Sequence, residues 1–305
     1  MSAHHDHDHH HHGPVRHDRA FAVGIGLNLG FVVLEAYWGV AAKSLALLAD
    51  AGHNLGDVLA LVLAWAAAGL VGRRATSRRT YGLGRTTIWA SLINSVVLLL
   101  AVGGIGWEAI GRFGRPETVE GGIVMAVAGL GILINTGTAL MFMKGAKSDL
   151  NLKGAFLHMA GDAAVSLAVV VAALVMGLTG WAWLDPVLSL GIALLIAWGS
   201  LGLLRESVDL SLDAVPAGID SEGVEAFLTG QSGVTALHDL HIWPLSTSQA
   251  ALTVHLVMPD PPEDDSFLHD LAEELDHHFG IGHATIQLER GDGIQVCRLC
   301  DAHGR

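Results

Sequence analysis

Leu45 to Val71 reads LALLADAGHNLGDVLALVLAWAAAGLV. A run this long and apolar crosses the roughly 30 Å hydrocarbon core of a bilayer as a helix, yet its first half holds Asp50, His53 and Asp57. An ionisable group in hydrocarbon is costly unless it meets a partner, so each one marks a candidate functional site. His53 and Asp57 stand one helical turn apart and share a helix face. The spacing returns at His158 and Asp162 in a second apolar run. If the two faces meet, two imidazoles and two carboxylates surround one point. That donor set suits tetrahedral Zn²⁺, and the carboxylates offset the ion's charge in a low-dielectric interior.

Five further apolar stretches run from Ala20 to Ala41, Ile88 to Ile110, Ile123 to Met143, Ala155 to Leu178 and Val187 to Leu204. With Leu45 to Val71 they predict six transmembrane helices joined by short connections, with Gly and Ala permitting close approach of backbones. Depth sets a condition on the site. His53 and Asp57 lie eight and twelve residues beyond Leu45, about 12 to 18 Å at helical rise. His158 and Asp162 come early in the fifth span, so the levels match only if that helix starts upstream of Gly154, near Asn151; Leu150 and Leu152 continue the pattern.

The chain has 305 residues, a mean hydropathy of +0.47 and a charged fraction of 15%. That charged fraction is well below the roughly one quarter of a soluble domain. The net charge of −13 misleads, because most acids follow Leu204. Basic residues set the orientation. Arg16 and Arg19, then Arg73, Arg74, Arg78, Arg79 and Arg85, then Lys144, Lys147 and Lys153, and finally Arg205 fall on one side, against Lys43, Arg112 and Arg115 on the other. Both termini are thus expected in the cytoplasm, with the chain in a bacterial inner membrane and no nucleic-acid partner. Met1 to His12 lacks the basic and apolar regions of a secretory signal. Its histidines, interspersed with Asp6 and Asp8, read either as a native metal-binding arm or as a tag.

Beyond Asp209 the composition becomes that of a small soluble domain. A helix is predicted from Ser221, as its cap, to Gly230, with strands over Ala236 to Trp243 and Ala250 to Met258. A Pro-rich acidic turn, Pro259 to Asp265, precedes a helix over Phe267 to Phe279 and a strand over His283 to Glu289. The order is αββαβ. Four regions follow: a His-rich arm over 1–18, a six-helix domain over 19–208, a cytosolic α+β domain over 209–292, and a tail over 293–305 holding Cys297 and Cys300. A Cys-x-x-Cys pair is a half-site for zinc or two idle thiols, and in either case belongs on the reducing side.

The run Ser44 to Asp57 (SLALLADAGHNLGD), with Gly154 to Asp162 (GAFLHMAGD) and Asp239 to Trp243 (DLHIW), resembles the cation diffusion facilitator family in its zinc-transporting branch. The resemblance covers nearly the whole chain. It implies a homodimer that exports a divalent ion from the cytoplasm in exchange for protons, with a metallochaperone-like cytosolic domain. It places the transport ligands on His53, Asp57, His158 and Asp162, and His53 favours Zn²⁺ over Co²⁺, Cd²⁺, Ni²⁺, Fe²⁺ or Mn²⁺. It implies cytosolic zinc ligands at His238, His255 and Glu289, and a basic residue, Arg85, paired with an acid, here Asp213; for Arg85 a lipid-facing loop explains the charge as well. The loop from Gly72 to Thr86 has no His or Asp, so no metal is expected there. Some relatives complete a Cys pair with a histidine from an N-terminal arm, a part open here to His4 to His12.

Proton coupling follows from the ligands themselves. Imidazole titrates near neutrality and must be unprotonated to bind metal, so metal and protons compete for His53 and His158, while Asp57 and Asp162 supply charge. Four protein ligands close the shell that a catalytic zinc leaves open to water, and no His-Glu-x-x-His is present, which argues against a metalloenzyme; a membrane metal sensor is a third reading. No organic cofactor is expected. Asp50, three residues before His53, either faces the same site or is a structural partner of nearby hydroxyl or backbone groups; Glu35 reads as an interhelical hydrogen bond or an aid to proton entry, and Asn28, Asn94 and Asn135 as packing polar groups. His277 and His278 read as solvated helix-end residues, and His283 is undecided.

Overall fold

The computed structural model describes residues 18–71, 75–115, 117–143 and 150–291. Six long helices come first: α1 (Asp18–Ala41), α2 (Leu45–Val71), α3 (Thr86–Gly114), α4 (Gly121–Met143), α5 (Leu150–Thr179) and α6 (Leu184–Ser211). Among the described residues five are long and apolar enough to cross a membrane, and α1 adds a shorter apolar stretch, Gly26–Ala41. The predicted runs match these helices closely, but α6 continues to Ser211 where hydropathy places its end at Leu204. The added residues include Glu206, Ser207 and Asp209, so hydropathy reports an apolar layer and not the last helical turn.

The helices pack α3 against α6 and α4 against α5, with α2 lying on α1, α3 and α6. Leu47, Val102, Val124, Val169, Ile192 and Ile196 form the centre of one buried cluster. Large apolar side chains such as Trp107, Leu133, Met141 and Trp198 are largely exposed on the outside, as expected of a lipid-facing surface. Close approach depends on missing side chains. A Cβ at Gly56 would collide with the Leu98 side chain of α3, so any larger residue forces Leu98 to shift.

The turn from α1 to α2 passes through Lys43 in the left-handed region (φ 57). Ser44 then caps α2 by accepting from the Leu47 amide at 3.2 Å. The fully buried Asp185 of α6 accepts from Ser44 Oγ at 2.6 Å and from the amides of Leu45 and Ala46 at 2.8 and 3.3 Å, with Arg112 of α3 at 3.7 Å. An acid from one helix thus satisfies the orphan N–H groups of another and meets its positive end.

The C-terminal region has the expected order, α7 (Ser221–Thr229), β1 (Ala236–Pro244), β2 (Ala250–Val257), α8 (Ser266–Phe279) and β3 (His283–Glu289). The cap expected at Ser221 is a correction: Ser221 is already helical, Asp220 holds the N-cap position, and no side-chain cap bond forms. The sheet runs β1-β2-β3, with β1 antiparallel and β3 parallel to β2. Leu252, Val254, Leu256, Leu271, Leu275 and Val224 form its core against the two helices. A bulge between His238 and His241, with Asp239 at φ 54, shifts the side-chain alternation of β1. Leu237 and Ile242 therefore both join the core although they stand an odd five positions apart, and His238 lies opposite His255 on the other face.

Candidate metal sites

The two turn-spaced pairs meet. His53 Nε2 lies 3.0 Å from Asp162 Oδ1 and 3.9 Å from Asp57 Oδ2, and His158 Nε2 lies 3.3 Å from Asp57 Oδ2 and 3.7 Å from Asp162 Oδ2. The contacts between helices are shorter than those within each helix. That crossing is what antiparallel neighbours produce: running in opposite directions, they bring His53 level with Asp162 and Asp57 level with His158. The depth condition, that α5 start upstream of Gly154, is met because α5 begins at Leu150.

Tetrahedral ligands about 2 Å from Zn²⁺ lie about 3.3 Å from one another. The observed spacings of 3.0 to 3.9 Å bracket that value. His53, His158 and Asp162 each offer a donor atom within 4.8 Å of the other two. Asp162 is buried, whereas the His158 side chain is 45% exposed, so the site opens on the His158 and Asp57 side. Two further polar pairs adjoin it: Asn54 donates to Glu35 Oε2 at 2.9 Å, and Ser166 donates to Asp50 Oδ2 at 3.1 Å.

A second cluster forms on the sheet. Opposed His238 and His255 have ring centroids 4.9 Å apart, and Glu289 from β3 reaches both, with Oε2 3.0 Å from His238 Nε2 and Oε1 3.0 Å from His255 Nδ1. The His238 hydrogen bond and the two imidazoles hold the Glu289 carboxyl below the usual carboxylate range. Asp239, in its bulge, adds an oxygen 3.7 Å from His255 Nε2 and binds His241 at 3.0 Å. His241 and Asp239 were visible in the sequence but carried no ligand role. The bulge that turns Asp239 inward leaves no mark in composition or alternation.

Arg85 Nη2 binds Asp213, which sits just past α6 in the left-handed region (φ 61). Beside this pair the Thr247 amide donates to Thr87 Oγ1 at 2.9 Å, and a Cβ at Gly84 would stand 2.5 Å from Leu245 O. The start of α3 is thereby seated on the β1–β2 hairpin. His283 packs edge-on to Tyr81 at 5.4 Å, and His277 and His278 form an exposed ring pair at the end of α8. Cys297, Cys300 and the arm His4 to His12 lie outside the described residues. Asp185 is also an acid in an apolar helix. The predicted span began two residues too late to include it.

The family model described as cation efflux transmembrane domain matches residues 21–210, and that described as cation efflux protein, cytoplasmic domain matches residues 216–291. The chain is 36% identical over 290 residues to the metal cation efflux system protein CzcD of Cupriavidus metallidurans, covering 95% of this chain and 90% of the relative. It is 35% identical over 287 residues to the zinc transporter ZitB of Escherichia coli, covering 93% and 90%. It is 34% identical over 265 residues to the cadmium, cobalt and zinc/H(+)-K(+) antiporter of Bacillus subtilis, covering 85% of each.

Proposed function

The chain belongs to the cation efflux family of membrane transporters and is not an enzyme, and from that premise we propose that it exports Zn²⁺ from the cytoplasm in exchange for protons. The observation that carries this reading is the convergence of His53, Asp57, His158 and Asp162 from two antiparallel apolar helices. Two carboxylates balance one divalent ion, and two imidazoles bind either that ion or protons. The same four residues therefore serve as metal site and proton site, and alternating access carries one load outward and the other inward. Other divalent ions with borderline character, Co²⁺ and Cd²⁺ first, are secondary substrates, since imidazole and carboxylate accept them.

In this reading α1 is the sixth span, both termini are cytoplasmic, and the membrane is a bacterial inner membrane. The chain divides into the arm 1–18, the helical domain 19–208, the cytosolic domain 209–292 and the tail 293–305. The cytosolic domain dimerises two copies, a reading supported by its match to the family's dimer domain, and binds Zn²⁺ through His238, His255 and Glu289. Arg85 and Asp213 join the two domains, and Cys297 and Cys300 with the arm histidines deliver or sense metal.

Metal-resolved uptake into proteoliposomes under an imposed pH gradient tests the proposal. The wild type is expected to accumulate Zn²⁺ with proton counterflow, and Asp57→Ala to accumulate none. Unchanged uptake by Asp57→Ala, or wild-type uptake without proton counterflow, overturns it.

A further inference from the structure

Two carboxyls meet at the junction of α1, α2 and α5 without a counter-charge. Glu35 and Asp50 are both fully buried and lie within hydrogen-bonding reach of each other. Asn54 donates to one oxygen of Glu35 and Ser166 to one oxygen of Asp50. The remaining oxygens, Glu35 Oε1 and Asp50 Oδ1, are buried acceptors with no donor. Among the described residues no basic side chain comes within ion-pair distance of either carboxyl. The titratable groups that face the pair are His53 from α2 and Asp162 from α5; α3 and α6 present none, and α4 has no ionisable residue in its sequence.

Two adjacent buried carboxylates cannot both stay ionised with nothing between them. What is missing is a positive charge small enough to fit between two acceptor oxygens. We propose that Glu35 and Asp50 form a second proton site of the transporter, which holds one proton between the two carboxyls and gives it up when metal occupies the neighbouring site. This rests on the exchange of Zn²⁺ for protons proposed above. Asp50 stands three residues before His53, about 4.5 Å of helical rise, so a divalent ion arriving there repels the shared proton. The carboxyl O–H bond breaks, its electron pair stays on oxygen, and the proton passes to water at the open side of the site. When the metal leaves, a proton from water restores the pair.

The test is the ratio of protons to zinc, measured with a pH dye and a zinc dye in the same proteoliposomes, for wild type, Glu35→Gln and Asp50→Asn. Each amide variant is expected to move about one proton fewer per zinc. An unchanged ratio overturns the inference while leaving zinc export intact; wild-type uptake with no proton counterflow instead defeats the reading beneath it. Should a variant bind zinc without transporting it, calorimetry in buffers of different ionisation enthalpy gives the protons released on binding, with the same two outcomes. Infrared difference spectra of the wild type need no variant. A protonated-carboxyl stretch that vanishes on adding zinc is expected, and its absence overturns the proposal. Replacing internal K⁺ by choline covers the other small cation: a fall in wild-type uptake that Glu35→Gln lacks assigns the site to K⁺ and overturns the proton.

Discussion

Among the described residues imidazole meets carboxylate in two clusters, and these differ in what holds their walls together. On the sheet, His238 and His255 face each other across paired strands, and Glu289 belongs to the strand hydrogen-bonded to β2. Backbone ladders fix all three. In the helix bundle, His53 and Asp57 stand on a helix packed mainly on α1 and α3, while His158 and Asp162 stand on one packed mainly on α4. Those two helices meet little beyond the site itself. If both bind metal as proposed, the ladder-bound cluster is suited to retain its ion, whereas the one whose walls belong to different packing partners is suited to open toward either side. In that reading similar donors serve retention in one domain and passage in the other.

The largest expected effect breaks the passage site. Asp162 is the most buried of the four proposed ligands and lies beside both imidazoles. Loss of even a supporting group around a metal costs 10- to 100-fold, so Asp162→Ala is expected to lower zinc uptake by about 100-fold or more, as read in proteoliposomes. Retention on the sheet should survive, with the C-terminal domain still binding its zinc in equilibrium dialysis. Loss at both places would mean the clusters are not independent.

Next comes the anchor of the α2 wall. Asp185 ties the start of α2 to α6 by three hydrogen bonds and lies beside Arg112. Asp185→Ala strands two backbone amides and the Ser44 hydroxyl, while Arg112 keeps Lys43 O and Glu108; a buried donor left unsatisfied costs about 1 to 3 kcal/mol. Thermal unfolding in detergent should drop accordingly. Asp185→Asn, which keeps an acceptor, should recover part of the loss.

Glu289→Ala gives the converse of the first test. It is expected to remove a zinc equivalent from the C-terminal domain and to change uptake by no more than a few-fold, because His53, Asp57, His158 and Asp162 remain. An uptake loss as large as that of Asp162→Ala would erase the distinction between retention and passage.

The two sites also differ in how much of them the sequence displays. The helical pair was legible because an ionisable residue in an apolar run is conspicuous and helical periodicity converts spacing of four directly into a shared face. The crossed pairing of His53 with Asp162 needs only antiparallel neighbours at one depth, and Leu150 and Leu152 already hinted at the longer α5. The sheet site is harder to read. Alternation along β1 holds only to His238, and the bulge at Asp239 that allows both Leu237 and Ile242 to face the core depends on backbone geometry. Asp185 was lost for another reason: a hydropathy boundary drawn at Val187 excluded the residue that caps a neighbouring helix.

A smaller effect concerns pH on the sheet. The His238 hydrogen bond lowers the Glu289 carboxyl relative to the unfolded chain. A depressed folded value means that the stabilisation is full above the unfolded carboxylate value, about 4.3, and fades as pH falls through the lower folded one. Hydrogen exchange of the β1–β3 amides, corrected for intrinsic rates, should therefore accelerate in acid, and Glu289→Gln should flatten that dependence. Identical profiles would show that the carboxylate does not help hold the sheet.

The smallest expected effect lies where the two regions meet. Arg85 at the start of α3 pairs with Asp213 just past α6, yet both side chains are about half exposed, at 49% and 52%. An ion pair so open to water contributes about 1 kcal/mol or less, because solvent screens it and ordering two side chains costs entropy. Arg85→Ala should shift unfolding only slightly, since Thr247 bound to Thr87 and the backbone contact at Gly84 keep the hairpin seated. Gly84→Ala, which puts a Cβ against Leu245 O, should weaken that seat more than losing the charge does. If instead Arg85→Ala cuts zinc uptake while unfolding is unmoved, the pair transmits the state of one region to the other and does more than hold them together.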